Sequence, residues 1–268
     1  MTQIGDFLLN TSIYSPKMLS VLILTGILVG FVNTLAGMAT ALSYALFMAM
    51  GMPINVANGT SRVGVLAQFA VSSVLFRKNG YLDVEQASKV GIPVAIGSVA
   101  GAQLAALVNP SIMEVLMGVM LPVMAVLLLA NQNKNKKSVN PSPANTKSKF
   151  GPFRFFAFTL IGAYGGFTHA GVGILIIFGS VYLLGLDLIR ANGIKQFAVV
   201  MYTPLALAVF IWYGQVNWPV AIIYAVGNVT GAVIASKVAV KWGAVFINYI
   251  IASAVFIMSF WLIYKQFI

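Results

Sequence analysis

Residues 18–50 read MLSVLILTGILVGFVNTLAGMATALSYALFMAM, one apolar run interrupted near its centre by Asn33-Thr34-Leu35-Ala36-Gly37. As one straight helix it would extend ~50 Å. The hydrocarbon core of a bilayer is only ~30 Å thick. Two short helices meeting at a break are therefore expected, as a hairpin that enters and leaves on the same side. Irregular backbone at that depth is tolerated only where protein buries it or where it lines a cavity. Residues 153–184 repeat the pattern at nearly the same length, with the interruption Gly165-Gly166-Phe167-Thr168-His169-Ala170-Gly171.

Outward from these two runs the chain stays apolar. Further runs cover residues 54–76, 84–108, 113–130, 188–212, 218–236 and 243–264. The whole chain is 60% hydrophobic and only 8% charged. A soluble domain carries about 25% charged residues, so lipid must be the solvent for most of this surface. The fold class expected is an all-α polytopic membrane protein. There is no cysteine, which excludes disulfides, thiolate metal sites and redox pairs. Residues 1–16 have no basic cluster, and no small-residue cleavage site follows, so the start does not read as a secretory signal.

Residues 131–151, NQNKNKKSVNPSPANTKSKFG, are polar and basic and read as a linker. They divide the chain into a first membrane repeat (1–130), a linker (131–152) and a second repeat (153–268). The two repeats align without gaps over a long stretch. In that register Ala36-Gly37 falls on Ala170-Gly171, Gly51 on Gly185, Ala57-Asn58-Gly59 on Ala191-Asn192-Gly193 and Gly80 on Gly214. After a four-residue deletion, Gly97 and Gly101 fall on Gly227 and Gly231. That last spacing lets helix backbones approach closely in lipid.

The net charge of +11 does not signal nucleic acid, because many of the basic residues sit in short loops between apolar runs. Lys134, Lys136, Lys137, Lys147 and Lys149 place the linker in the cytoplasm. The loops carrying Arg77, Lys78 and Lys89, and Lys237 and Lys241, then also lie inside. Both termini lie outside. With hairpins at 18–50 and 153–184, most of the basic residues fall inside, and only Lys17 and Lys265 fall outside. Each repeat becomes a broken-helix hairpin followed by three membrane helices, and the second is inverted relative to the first. Inverted repeats with interrupted helices are a recurring transporter plan.

The segment Gly30-Phe31-Val32-Asn33-Thr34-Leu35-Ala36-Gly37, then Gly51-Met52-Pro53 and Ala57-Asn58-Gly59-Thr60-Ser61-Arg62, resembles the sulfite exporter TauE/SafE family. That family is also called the toluene-sulfonate uptake permease family. The likeness covers nearly the whole chain. The matched motif of the second half, Ala191-Asn192-Gly193-Ile194-Lys195-Gln196, is looser. Relatives usually carry consecutive glycines at the hairpin tip, where this chain has Met38-Ala39-Thr40 after Gly37. The resemblance implies a bacterial inner-membrane exporter of sulfite, organosulfonates or other small anions, without a cofactor.

Arg62 and Lys195 are cations inside apolar runs, and a charge there costs at least ~2.5 kcal/mol on insertion scales. No acid falls at mid-membrane beside them, so an anionic substrate would supply the missing charge; the alternative is that both snorkel to the interface. The arms starting after Gly37 and Gly171 would aim helix N-termini at the same depth, where anions bind. Asn33, Thr34, Thr40 and Thr168 would add neutral donors. Asn58 and Asn192 either cap the following helix or touch substrate, with Thr60, Ser61 and Gln196 beside them. His169, the only histidine, either binds the anion, passes a proton or is a structural donor.

The function expected is a secondary transporter of a small anion bound between the repeats, with a passive anion channel as the alternative. An enzyme would need a catalytic set that the membrane segments lack. Oligomeric state stays open, a homodimer included.

Overall fold

The computed structural model describes residues 3–37, 39–117, 150–239 and 241. Among these no strand occurs, and the chain is a succession of helices. They are α1 (Gln3–Asn10), α2 (Pro16–Leu35), α3 (Thr40–Ala49), α4 (Ile54–Lys78) and α5 (Val84–Leu107). A helical stretch at 110–117, α6, runs to the edge of the described region. Then come α7 (Pro152–Phe167), α8 (Val172–Leu184), α9 (Leu188–Trp212) and α10 (Trp218–Ala239). The expected runs 113–130 and 243–264 and the linker 131–152 lie partly or wholly outside the described residues.

Helix ends follow local chemistry. Ser15 accepts from the Met18 N–H at 3.2 Å, and Pro16 opens α2 without needing a donor. Asp83 and Asp187 cap α5 and α9 in the same way. Five helices, α2, α4, α5, α9 and α10, are long and apolar enough to cross a membrane. Leu24 and Leu28 of α2, Ile96 of α5 and Ile222 of α10 stand exposed on them, as does Leu160 of α7. In water such a surface would be costly; in lipid it is the solvated side. The polytopic all-α expectation holds. The short helix α1 goes beyond the expected elements, because so short a segment cannot carry a membrane pattern.

Both long runs are broken, and each break falls slightly C-terminal of the centre expected from sequence. Helix α2 continues through Asn33 and Thr34 to Leu35, and α7 continues to Phe167. The breaks turn on Gly37 (φ 78°) and Gly171 (φ 83°), both in the left-handed region that glycine enters without a Cβ clash. The second arms fold back. Phe158 and Ile161 of α7 pack against Gly179 of α8. Gly51, after α3, lies against the Leu9 side chain of α1, next to where α2 begins.

The halves interlock through glycine seams. Gly26 and Gly30 of α2 lie on the backbone of Tyr224 and Asn228 in α10, and Gly162 and Gly166 of α7 lie on Val94 and Ser98 in α5. Gly59 of α4 abuts Gln215, and Gly193 of α9 abuts Tyr81. Each of these contacts has a counterpart in the other half. Helices α4 and α9 run antiparallel, with Gly59 near Phe210 at one end and Ser72 bonded to Gln196 toward the other. The hairpin tips meet between them.

Candidate functional site

Helix α4 presents Asn58 and Arg62, one turn apart, to the end of α7. The Arg62 Nη2 donates to the carbonyls of Gly165 at 3.1 Å and Gly166 at 2.6 Å, and its Nε donates to Asn58 Oδ1 at 3.2 Å. The Asn58 Nδ2 donates to the Phe167 carbonyl at 2.8 Å. Helix α9 does the same for α2. Lys195 Nζ donates to the carbonyls of Asn33 at 2.9 Å and Thr34 at 2.7 Å. Gln196 Nε2 donates to Thr34 O at 2.8 Å and to Asn192 Oδ1 at 3.1 Å.

The physical reason is common to both. A helix that stops inside a membrane leaves its last carbonyls without partners and a partial negative charge at that end. A cation from the other half satisfies both. Arg62 and Lys195 are each 0% exposed, so neither snorkels. Carbonyl dipoles satisfy part of their hydrogen bonding and do not cancel a net charge. Among the described residues no carboxylate bonds either cation, and the ion pairs Lys89–Glu85 and Arg190–Asp187 sit at solvent-exposed positions. The faces of Phe210 (4.9 Å from Arg62) and Phe69 (5.5 Å from Lys195) line the two cations.

The tips meet between them. A Cβ added to Gly37 or to Gly173 would lie 2.6 Å from the other's Cα, so only hydrogen atoms separate the two backbones. Three buried polar atoms on the residues that make these helix-end contacts have no protein partner: Arg62 Nη1, Thr34 Oγ1 and Asn192 Nδ2. An unpaired buried donor costs about 1–3 kcal/mol. Such a group of atoms is what an occupant would satisfy.

The other expected residues divide. Asn33 is spent locally, accepting from Ala39 N–H at 2.7 Å and donating to Thr40 Oγ1 at 2.8 Å, which ties the second arm to the first. Asn58 and Asn192 lie inside α4 and α9 rather than at their caps. Ser61 bonds back to the Asn58 carbonyl. Thr60 accepts from the Asn217 N–H at 2.9 Å, in the loop before α10, and so serves that loop rather than the tips. Thr168 is buried beside Ala170, and Gly171 precedes α8, which begins without a side-chain cap.

His169 is 2% exposed. Its backbone N–H donates to Tyr44 Oη at 3.2 Å, that hydroxyl donates to Asn58 Oδ1 at 3.0 Å, and the ring Nδ1 is hydrogen-bonded to Tyr202 Oη. The Phe69 ring packs edge-on against the imidazole at 5.9 Å. Tyr44, Tyr202 and Phe69 belong to this candidate site and were not among the residues expected from the sequence. An aromatic in an apolar helix gives no periodic signal; Phe69 and Tyr202 stand seven residues beyond Arg62 and Lys195 on the same helix faces, and Tyr44 is brought in from α3.

A helical membrane molecule that hides two cations at the meeting point of two broken helices falls in the class of membrane transporters. Relatives agree. The chain is 24% identical to a probable membrane transporter protein ORF9 of Sinorhizobium sp., over 85% of either chain. It is 20% identical to a probable membrane transporter protein of Haemophilus influenzae (93% of this chain, 96% of the relative) and 23% identical to YfcA, a probable membrane transporter protein of Escherichia coli K12 (94% and 92%). The chain belongs to the sulfite exporter TauE/SafE family, whose match covers residues 22–262. No solved structure matches it.

Proposed function

We propose that this chain is a secondary transporter that exports a small anion, sulfite or an organosulfonate, bound near mid-membrane between the two repeats, beside the crossing of the hairpin tips. The observation that carries this reading is the burial of Arg62 and Lys195, one from each half, without a carboxylate partner among the described residues. A tetrahedral or pyramidal oxyanion offers several acceptors at once. The unpartnered Arg62 Nη1, Asn192 Nδ2 and Thr34 Oγ1 are donors suited to it. The choice of sulfite rests on the family description.

The reciprocal contacts of α2 with α10 and of α5 with α7 support an inverted repeat, the arrangement from which alternating access follows. The reading places the chain in a bacterial inner membrane with residues 131–152 in the cytoplasm and both termini outside. Radiolabelled sulfite flux into proteoliposomes tests it. Flux that depends on the protein and is cut by about tenfold in both Arg62→Gln and Lys195→Gln supports it. Undiminished flux in the two variants contradicts it.

A further inference from the structure

The pair His169–Tyr202 remains unused by an anion site built on Arg62 and Lys195. We propose that His169 is the coupling group of this transporter: it takes up one proton when the anion binds and releases it when the anion leaves. The inference rests on the anion site of that reading, not on its direction of transport, and adds the identity of the co-transported ion.

The placement carries the argument. His169 lies in the second break, and every element packed on it contributes a named group. Helix α3 contributes Tyr44, on the His169 backbone N–H. Helix α4 contributes Arg62 and Phe69, the first bound to the same Asn58 oxygen as Tyr44 and the second packed on the ring. Helix α7 contributes Tyr164, whose hydroxyl donates to the Ala170 carbonyl at 2.8 Å. Helix α9 contributes Tyr202 on Nδ1, and Lys195, whose Nζ lies 5.5 Å from the centre of the same Phe69 ring. The charged groups in this shell are Arg62 and Lys195, both positive, and among the described residues no acid joins them.

A third positive charge beside two buried ones is strongly opposed by Coulomb repulsion in a medium of low dielectric. An anion seated between Arg62 and Lys195 removes that opposition. Linkage then runs both ways: the anion raises the proton affinity of the imidazole, and the proton raises the affinity for the anion by the same factor. No described residue is recorded as bonding Nε2, and in the tautomer whose Nδ1–H donates to Tyr202 Oη, Nε2 is the atom that receives the proton. The step is a simple transfer from water to imidazole, giving imidazolium, with no other bond made or broken. Imidazole is also the one side chain in this shell that ordinarily titrates near neutral pH.

The test uses methanesulfonate, which stays fully ionised between about pH 5 and pH 8, so that every proton counted belongs to the protein. Calorimetric titration of the purified full-length chain, in buffers of different ionisation enthalpy, reads the protons taken up per anion. The expected result is net uptake on binding. Affinity falls with rising pH by up to about tenfold per unit where free His169 is neutral. His169→Gln binds the anion without uptake and with a flat pH profile. Tyr202→Phe retains uptake with a shifted midpoint, and it decides the matter if the histidine variant does not fold. Binding without uptake by the unaltered chain overturns the proposal, as does unchanged uptake in His169→Gln or an unshifted midpoint in Tyr202→Phe. Any of these results leaves the anion site standing. Failure of methanesulfonate, sulfite and sulfate all to bind overturns both readings.

Discussion

Arg62 and Lys195 serve each other's half of the molecule: Arg62 holds the Gly166 carbonyl at the end of α7, and Lys195 holds the Thr34 carbonyl at the end of α2. Each half therefore supplies the positive group that lets the other half's helix stop in the membrane. This structural role and the anion-binding role proposed for them can be separated by experiment.

Arg62→Gln retains an amide donor of the kind that Gln196 supplies at the matched place in α9. Arg62→Ala leaves the carbonyls of Gly165 and Gly166 unpaired. The alanine variant is expected to lose about 1–3 kcal/mol more than the glutamine variant. Thermal unfolding in detergent, followed by the loss of monodisperse protein, checks the order. Equal melting temperatures would show that those carbonyls need no partner.

The glycine seams predict a sharp positional contrast. A Cβ at Gly101 would collide with the Ala163 carbonyl in α7, whereas one at Gly80 meets nothing within 4 Å and strains only a backbone of φ 76°. Gly101→Val is expected to abolish folded protein. Gly80→Ala is expected to cost about 1 kcal/mol. Yield and melting temperature of the two variants measure the difference.

Tyr44 joins the His169 backbone to Asn58 through one hydroxyl. Tyr44→Phe removes an acceptor and a donor at once. A loss of about 1–3 kcal/mol is expected, with reduced anion affinity, because Asn58 also orients Arg62. Unchanged stability and affinity would show that this network is idle.

The absence of cysteine makes the natural chain a ready background for labelling. Asn79→Cys, after α4, is expected to react only from the cytoplasmic face, and Asn109→Cys, after α5, only from the outside. A membrane-impermeant maleimide applied to intact cells and to inverted vesicles tells the two apart. Labelling of both from one side would refute the orientation drawn from the loop charges.

Much of the architecture is legible in the sequence. The first run, residues 18–50, is too long for one crossing, and it folds into the two arms α2 and α3. Arg62 and Lys195 stand out because charge in an apolar run is costly wherever it occurs. Their partners do not, because those are backbone carbonyls, which every residue has and no sequence marks. The break positions differ from expectation for a related reason: Asn33 remains helical while its side chain reaches forward to tie down Ala39 and Thr40. Thr60 looks equivalent to Ser61 in one dimension, yet helical geometry turns it to the loop at Asn217. Tyr44 and Tyr202 carry no linear signal and become site residues only when α3 and α9 converge on the second break.

The most direct test of an anion held between Arg62 and Lys195 is diffraction from crystals grown with selenite, a heavier analogue of sulfite, using anomalous scattering to locate selenium. The account predicts a peak beside the crossing of the hairpin tips, with a selenite oxygen within hydrogen-bonding reach of Arg62 Nη1. Selenium bound only at surface lysines or in the loops, with the tip crossing empty at saturating selenite, would contradict it.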